Sequence, residues 1–313
     1  MIRRVVLWLC LLLAMPAPAA AIRVVDDAGL TLEFVRPPQR IVSLTPHLTE
    51  LLFAVGAGSQ VVGVDSASDY PEAARTLPRV GDYSRINFER ILALKPDLVM
   101  VWVGGNRPVD IHGLQKMGLP VLQTHASRLD DVARLLRLIG QVSGHVGEGD
   151  AAAQDFSAGL AALQRRYARV HAVPVFYQVW DRPLMTVGGT HWISDALALC
   201  GARNVFADLH ALSPVVSREA VLQRMPSLIV SGSDAPDLRS QWHQFVRLPA
   251  VKNRAFVRVD ADLLDRVYEH DQTLVQSVDK LAAAIEQTAG GAEVTGWLTT
   301  TQTTLARSDL ALV

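Results

Sequence analysis

In this 313-residue sequence, the residues best suited to chemistry are aromatic and polar side chains that fall just after apolar runs. Tyr83 follows Val-Gly-Asp, and Trp102 closes the run LVMVW ahead of a Gly-Gly-Asn turn at 104–106. Trp180-Asp181-Arg182 comes later in the chain, and Met185 ends the strand-like run PLM. Further along stand Asp262, Leu263, Leu264, Asp265 and Arg266. Rings set beside a few polar groups suit a large, partly apolar ligand, because the rings bury area while the polar atoms fix orientation. The same residues serve catalysis poorly. Asp262 and Asp265 offer an acid/base pair, but no nucleophile elbow, phosphate loop or metal triad accompanies them. The segment VSGSDAP at 230–236 lacks the flanking glycines of a hydrolase turn. A hydrolytic enzyme is therefore a remote reading, and no catalytic residue is assigned. No two or three histidines and carboxylates share a short ligand spacing, so neither a metal site nor a resident cofactor is expected.

Such residues need a scaffold that gathers separate strand ends. IRVVDDAGLTLEF at 22–34 alternates around Asp27-Ala28-Gly29, the pattern of a β-hairpin. RIVSL at 40–44 reads as a buried strand. Thr45 then caps a helix with Pro46 at its first position, HLTELLFAVGAG runs to a glycine stop, and VVGVD at 61–65 is the next strand. Strand and helix alternating through tight connections build a parallel sheet covered by helices, which receives ligands at the strands' carboxyl ends.

One such unit recurs. NFERILALKPDLVM at 87–100 and SREAVLQRMPSLIV at 217–230 both read polar cap, Glu at the third place, helix, Pro and apolar strand, without a gap. ELLFAVGAGSQVVGV at 50–64 and DALALCGARNVFAD at 195–208 form a second pair in the same order. The expected fold is α/β: two similar lobes with mainly parallel sheets, 22–143 and 172–288, flanking one ligand cleft. Between them Phe156, Leu160, Leu163, Tyr167 and Val170 recur at spacings of four and three. They mark one stripe of a long backbone helix over 144–171 that would reach ~35 Å. Residues 289–313, with GG and TTTQTT, lack periodicity and are expected to form a disordered tail.

Arg3 and Arg4, the apolar run from Val5 to Met15 and Ala19-Ala20-Ala21 read as a secretory signal over 1–21. The run is shorter than the ~20 residues a bilayer requires. Its loss would take the formal net charge from −1 to −3, so no basic field exists to hold nucleic acid. Cys10 would leave with it, and Cys200, in the apolar run DALALC, reads as a buried structural thiol.

RIVSLTPHLTELLFAVGA (40–57), SDYP (68–71), NFERILALKPDLVMVW (87–102) and VSREAVL (216–222) resemble the periplasmic cobalamin-binding proteins. These are helical-backbone (class III) solute-binding proteins, and the resemblance covers about residues 38–285. It implies a monomer of the periplasm that captures cobalamin or a related corrinoid and delivers it to an inner-membrane ABC permease and its ATPase. Haem, a siderophore or another corrinoid is the alternative in the same fold. For haem, His125, His191 and Tyr268 are the available axial groups. Carried over by position, Trp102 matches a ligand tryptophan, Tyr83 stands where the family has another, and Met185 replaces a phenylalanine. Asp262 to Arg266 correspond to a DWFER-like segment with leucines for its two rings. Ala67 and Ser213 occupy the places of a tyrosine and a tryptophan, so stacking surface is missing. Trp180 and Trp192 are candidates to replace it. Glu89 and Glu219 fall on two exposed glutamates that, in the family, dock the lobes onto permease arginines; the internal repeat equates the same two residues. The partner of the family's disulfide is replaced by Asp279, leaving Cys200 unpaired.

Overall fold

The computed structural model describes residues 21–82, 84–167, 172–231 and 238–259, with short pieces at 278–279, 281–283, 285 and 295–298. The expected signal segment, apart from Ala21, lies outside the described residues, as do Tyr83 and residues 260–277.

The chain opens with an antiparallel hairpin of β1 (Ile22–Val25) and β2 (Thr31–Phe34). Asp26 closes its turn by accepting from the backbone of Ala28 and Leu30, and Gly29 supplies the positive φ of 79°. The first main sheet has the order β4-β3-β5-β6, all parallel: β3 (Ile41–Ser43), β4 (Val61–Val64), β5 (Leu98–Trp102) and β6 (Val121–Thr124). Helices α1 (Pro46–Ala54), α2 (Phe88–Ala93), α3 (Pro108–Lys116) and α4 (Leu129–Ser143) belong to this half.

Helix α5 (Val146–Tyr167) follows after a turn at Gly144, φ 84°. Its 22 residues give a rod of about 33 Å. Phe156, Leu160, Leu163 and Tyr167 are its buried stripe, while Val170 lies outside the described residues. A Cβ on Gly149 would meet the Cα of Gly140 at 2.9 Å, and the reverse holds, so α4 and α5 cross almost backbone to backbone.

The second main sheet has the order β10-β7-β11-β12-β13, again parallel. Its strands are β7 (Val173–Gln178), β10 (Ala202–Asn204), β11 (Leu228–Ser231), β12 (Phe256–Val259) and β13 (Thr295–Leu298). A two-stranded hairpin, β8 (Trp180–Asp181) and β9 (Leu184–Met185), leaves the end of β7. Helices α6 (Trp192–Leu199), α7 (Arg218–Arg224), α8 (Leu238–Trp242) and α9 (Pro249–Lys252) complete the half. β13 corrects the expectation of a disordered stretch over 289–313: Thr295–Leu298 pairs in register with Phe256–Val259. The rest of that stretch is outside the described residues.

The two sheets repeat one wiring, with β3, β4, β5 and β6 in the places of β7, β10, β11 and β12. The detail extends to dihedral angles. Helices α2 and α7 are each capped by a side chain accepting from the third residue on, Asn87 from Arg90 N and Ser217 from Ala220 N. Each of these units then turns through a left-handed residue before a proline, Lys95 (φ 47°) and Met225 (φ 48°). One apolar core runs through both halves, with residues of α1, α4, α5 and α6 and of strands from each sheet.

Candidate ligand-binding site

The carboxyl ends of β3 and β5 lie side by side, because the register pairs Ile41 with Leu98 and Ser43 with Met100. Asn106 locks this corner. Buried at 6% exposure, it accepts from the Trp102 backbone N–H at 2.8 Å and donates to the Leu44 carbonyl at 3.1 Å, tying the end of β5 to that of β3. Trp102 therefore has a fixed backbone, and its indole lies over the turn that follows. A Cβ on Gly104 or Gly105 would come within 2.6 or 2.4 Å of the ring. His47, in the first turn of α1, meets the ring edge-on at 5.2 Å and 90°. Burial pushes the His47 imidazole down to about 4, so it is neutral at ordinary pH.

Around the Thr45 carbonyl runs a paired polar network. Ser43 and Thr49 both donate to the Thr45 carbonyl, Thr49 also bonds Ser43 and Ser68, and Ser68 bonds Asp65. Arg79 donates to the carbonyls of Asp65 and Ser68. Burial raises the Asp65 carboxyl above its usual range, against the pull of Ser68, Ala67 N–H and Arg79. Thr45 occupies the N-cap position with Pro46 beside it, as the sequence suggests, yet its side chain makes no capping bond.

In the second half the hairpin brings Trp180 and Met185 directly opposite each other. Trp180 is 54% exposed, with its indole N–H donated to the Arg182 carbonyl. Gln178, at the end of β7, is saturated by Trp242 and Gln241. The expected ring set is thus divided: Trp102 on one half, Trp180 with Met185 on the other. Tyr83, Asp262, Leu263, Leu264, Asp265 and Arg266 lie outside the described residues. Trp192 is half-buried and packs, with Trp102, Ala126 and Val179, against the core shared by the two halves.

A contact joins the two carboxyl-end sides. Asp195, in the first turn of α6, accepts from the Leu129 backbone N–H at 3.3 Å and from Arg128 at 3.0 Å, at the start of α4. Burial raises its carboxyl above the usual range, and those two donors oppose the rise. Sequence reasoning placed the Gly-Gly-Asn turn at the site without the locking role of Asn106, and it missed His47 and Asp195. Each is a single polar residue whose partner is distant in the chain, and no periodicity marks it.

His191 caps α6 by accepting the Ile193 N–H on Nδ1 at 3.1 Å. Its proton therefore sits on Nε2, and burial lowers it to about 4. His125 is exposed. Glu89 and Glu219 are exposed in the first turns of α2 and α7. Glu219 is held below the usual carboxylate range by its own backbone N–H and by the Ser217 hydroxyl. Cys200 is fully buried, with its thiol toward the Val278 carbonyl at 3.2 Å, and burial pushes its pKa up. The neighbouring Asp279 carboxylate is held by Arg166 and by the Tyr167 hydroxyl, both at 2.8 Å. Among the described residues no group of three or more His, Cys, Asp or Glu is placed to hold a metal ion, and no helix is long and apolar enough to cross a membrane.

Residues 41–263 match the family described as periplasmic binding protein. A vitamin B12-binding protein of Vibrio parahaemolyticus is 36% identical over 231 residues, covering 74% of this chain and 84% of the relative. One from Yersinia pseudotuberculosis is 37% identical over 253 residues, covering 78% and 90%. Among solved structures, the periplasmic vitamin B12 binding protein BtuF of Vibrio cholerae superposes with a TM-score of 0.73 at 33% identity, covering 80% of this chain and 98% of that chain. The apo periplasmic heme-binding protein RhuT from Roseiflexus sp. RS-1 gives 0.70 at 25% identity, over 80% and 99%.

Proposed function

Because this chain belongs to the periplasmic binding protein family, we propose that it captures cobalamin in the periplasm and delivers it to an ABC-type importer of the inner membrane. The observation that carries the reading is the agreement of its relatives: those at 36% and 37% identity and a solved structure at 33% are all vitamin B12-binding proteins. The family is one of binding proteins, and catalysis has no part in it. Trp102 on one side and Trp180 with Met185 on the other are the rings and thioether that would cover a corrin plane, with Trp192 at the rim of the shared core. Tyr83 and the segment Asp262, Leu263, Leu264, Asp265 and Arg266 are assigned to the same ligand on the resemblance alone. Glu89 and Glu219 are assigned to permease docking, and residues 1–21 to export.

Haem is the rival ligand, since the second fold neighbour binds it. Two of its three axial candidates fit poorly. His191 spends its Nδ1 lone pair on Ile193 N–H, which leaves Nε2 protonated and without a lone pair for iron. His125 has an exposed ring and is held only through its backbone, its N–H donating to Asp27 and its carbonyl accepting from Arg134. The deciding experiment is the visible spectrum of purified protein after mixing with cyanocobalamin or haemin and desalting. Retained cobalamin is expected; retained haemin with cobalamin lost would overturn the assignment.

A further inference from the structure

Among the described residues, four buried side-chain polar atoms have no hydrogen-bond partner: Thr45 Oγ1, His47 Nε2, Gln60 Oε1 and Trp102 Nε1. Gln60 stands apart, its amide nitrogen given to the Ser143 carbonyl. The other three are contiguous. The β3–β5 register continued two residues sets Thr45 level with Trp102, and His47 touches the Trp102 ring. Thr45 is only 7% exposed, so its hydroxyl is shut in. The polar side chains around them are paired. Ser43, Thr49, Ser68, Asn106 and Thr124 all have partners, and the carbonyl of Thr45 itself accepts two hydroxyls. Buried polar atoms in folded proteins are almost always paired, and three orphans in one spot, at the carboxyl ends of two adjacent strands, require a reason.

The reason must supply hydrogen-bonding atoms from outside the fold. An indole N–H only donates, a hydroxyl does either, and a neutral imidazole carries one donor and one acceptor. The Trp102 ring meets His47 edge-on and rests on Gly104 and Gly105, where a Cβ would strike it. Turning the indole into the cleft would release all three atoms at once.

Resting on the reading that the cleft takes a corrinoid, we propose that Thr45, His47 and Trp102 form a closed polar subsite that receives one carboxamide of that ligand as Trp102 turns outward to stack on it. A carboxamide brings an oxygen for the donors and an NH₂ for an acceptor. A carboxylate brings acceptors alone, and none of the three residues carries a positive charge to balance it, since burial keeps His47 neutral.

The test uses Thr45→Val and His47→Leu, which remove the orphaned atoms at little change in shape. Both variants are expected to be at least as resistant to heat as the wild type, because each sheds an unpaired buried group. Affinity is measured by calorimetry for dicyanocobinamide, whose corrin side chains are amides, and for dicyanocobyrinic acid, whose side chains are carboxylates. The wild type is expected to prefer the amide form. Each variant is expected to lose about 5-fold or more for that form, as one unmade hydrogen bond implies, and to lose the preference. Wild-type binding with both variants unchanged would overturn the subsite and leave the corrinoid function standing. A wild type that retains cyanocobalamin but binds neither probe would overturn the subsite, and one that also fails to retain cyanocobalamin would overturn both.

Discussion

Trp102 stands on a backbone held by Asn106, and its ring rests on a glycine turn with His47 at its edge. Trp102→Ala should weaken cyanocobalamin binding by ~1–3 kcal/mol, as loss of a stacked aromatic anchor commonly does. Equilibrium dialysis with circular dichroism as a folding control measures it, and unchanged affinity would remove the residue from the site. His47 and His191 give the stability its pH dependence. Both are held near 4, below the ordinary imidazole value of 6.5. The folded protein thus binds fewer protons than the unfolded chain between those values. Their contribution is complete above pH 6.5 and is lost as pH falls through about 4. Both side chains are partly exposed, so the combined loss should be about 1–3 kcal/mol. Urea midpoints at pH 7 and 4.5 should show the fall, and His47→Leu should flatten part of it. Trp102 was legible in the sequence because a large ring closed an apolar strand run before glycines. His47 was not, because one histidine in a first helical turn has no periodicity and its meaning depends on a ring 55 positions away in the chain.

The repeat is written most clearly in its elements. Two caps, two helices, two left-handed residues ahead of proline and two strands recur at an unbroken offset of 130, and the sheets that contain them share a strand order. This much could be read without coordinates, since helix caps, proline and apolar runs act locally. The run PLM read as strand-like, but its pairing with Trp180-Asp181 was not legible: two residues per strand give no period, and the pairing depends on the turn. Thr295–Leu298 escaped notice for a similar reason, as TGWL sits among threonines and takes its strand form from a distant neighbour, β12. The bridging helix was legible as a stripe, but its seat was not. Gly140 and Gly149 meet within 2.9 Å of a Cβ, a tertiary contact with no sequence signature beyond two glycines. Gly149→Val should destabilise the fold by about 1–3 kcal/mol through overpacking at that crossing. Chemical denaturation would measure the effect, and a variant as stable as the wild type would mean the helices can part at no cost.

At the scale of the whole molecule, Glu89 and Glu219 present one carboxylate from each half, at equivalent helix starts in contact with water. If these seat the protein on arginines of a permease, Glu89→Arg with Glu219→Arg should abolish ligand-dependent uptake while leaving the dissociation constant for cyanocobalamin as it was. Normal uptake by the double variant would reduce both residues to helix-end charges. The core continuous through α1, α4, α5 and α6 has a further consequence, for heredity as much as for heat. A gene half encoding either repeat would yield a chain whose apolar face, Val132, Leu136 and Ile139 on one side and Ile193, Ala196 and Leu197 on the other, has lost its cover. Neither half is a spare copy of the other. The protein should therefore melt as one cooperative unit, with equal calorimetric and van't Hoff enthalpies, despite its two sheets. Two resolved transitions in a calorimeter would show instead that each half folds on its own.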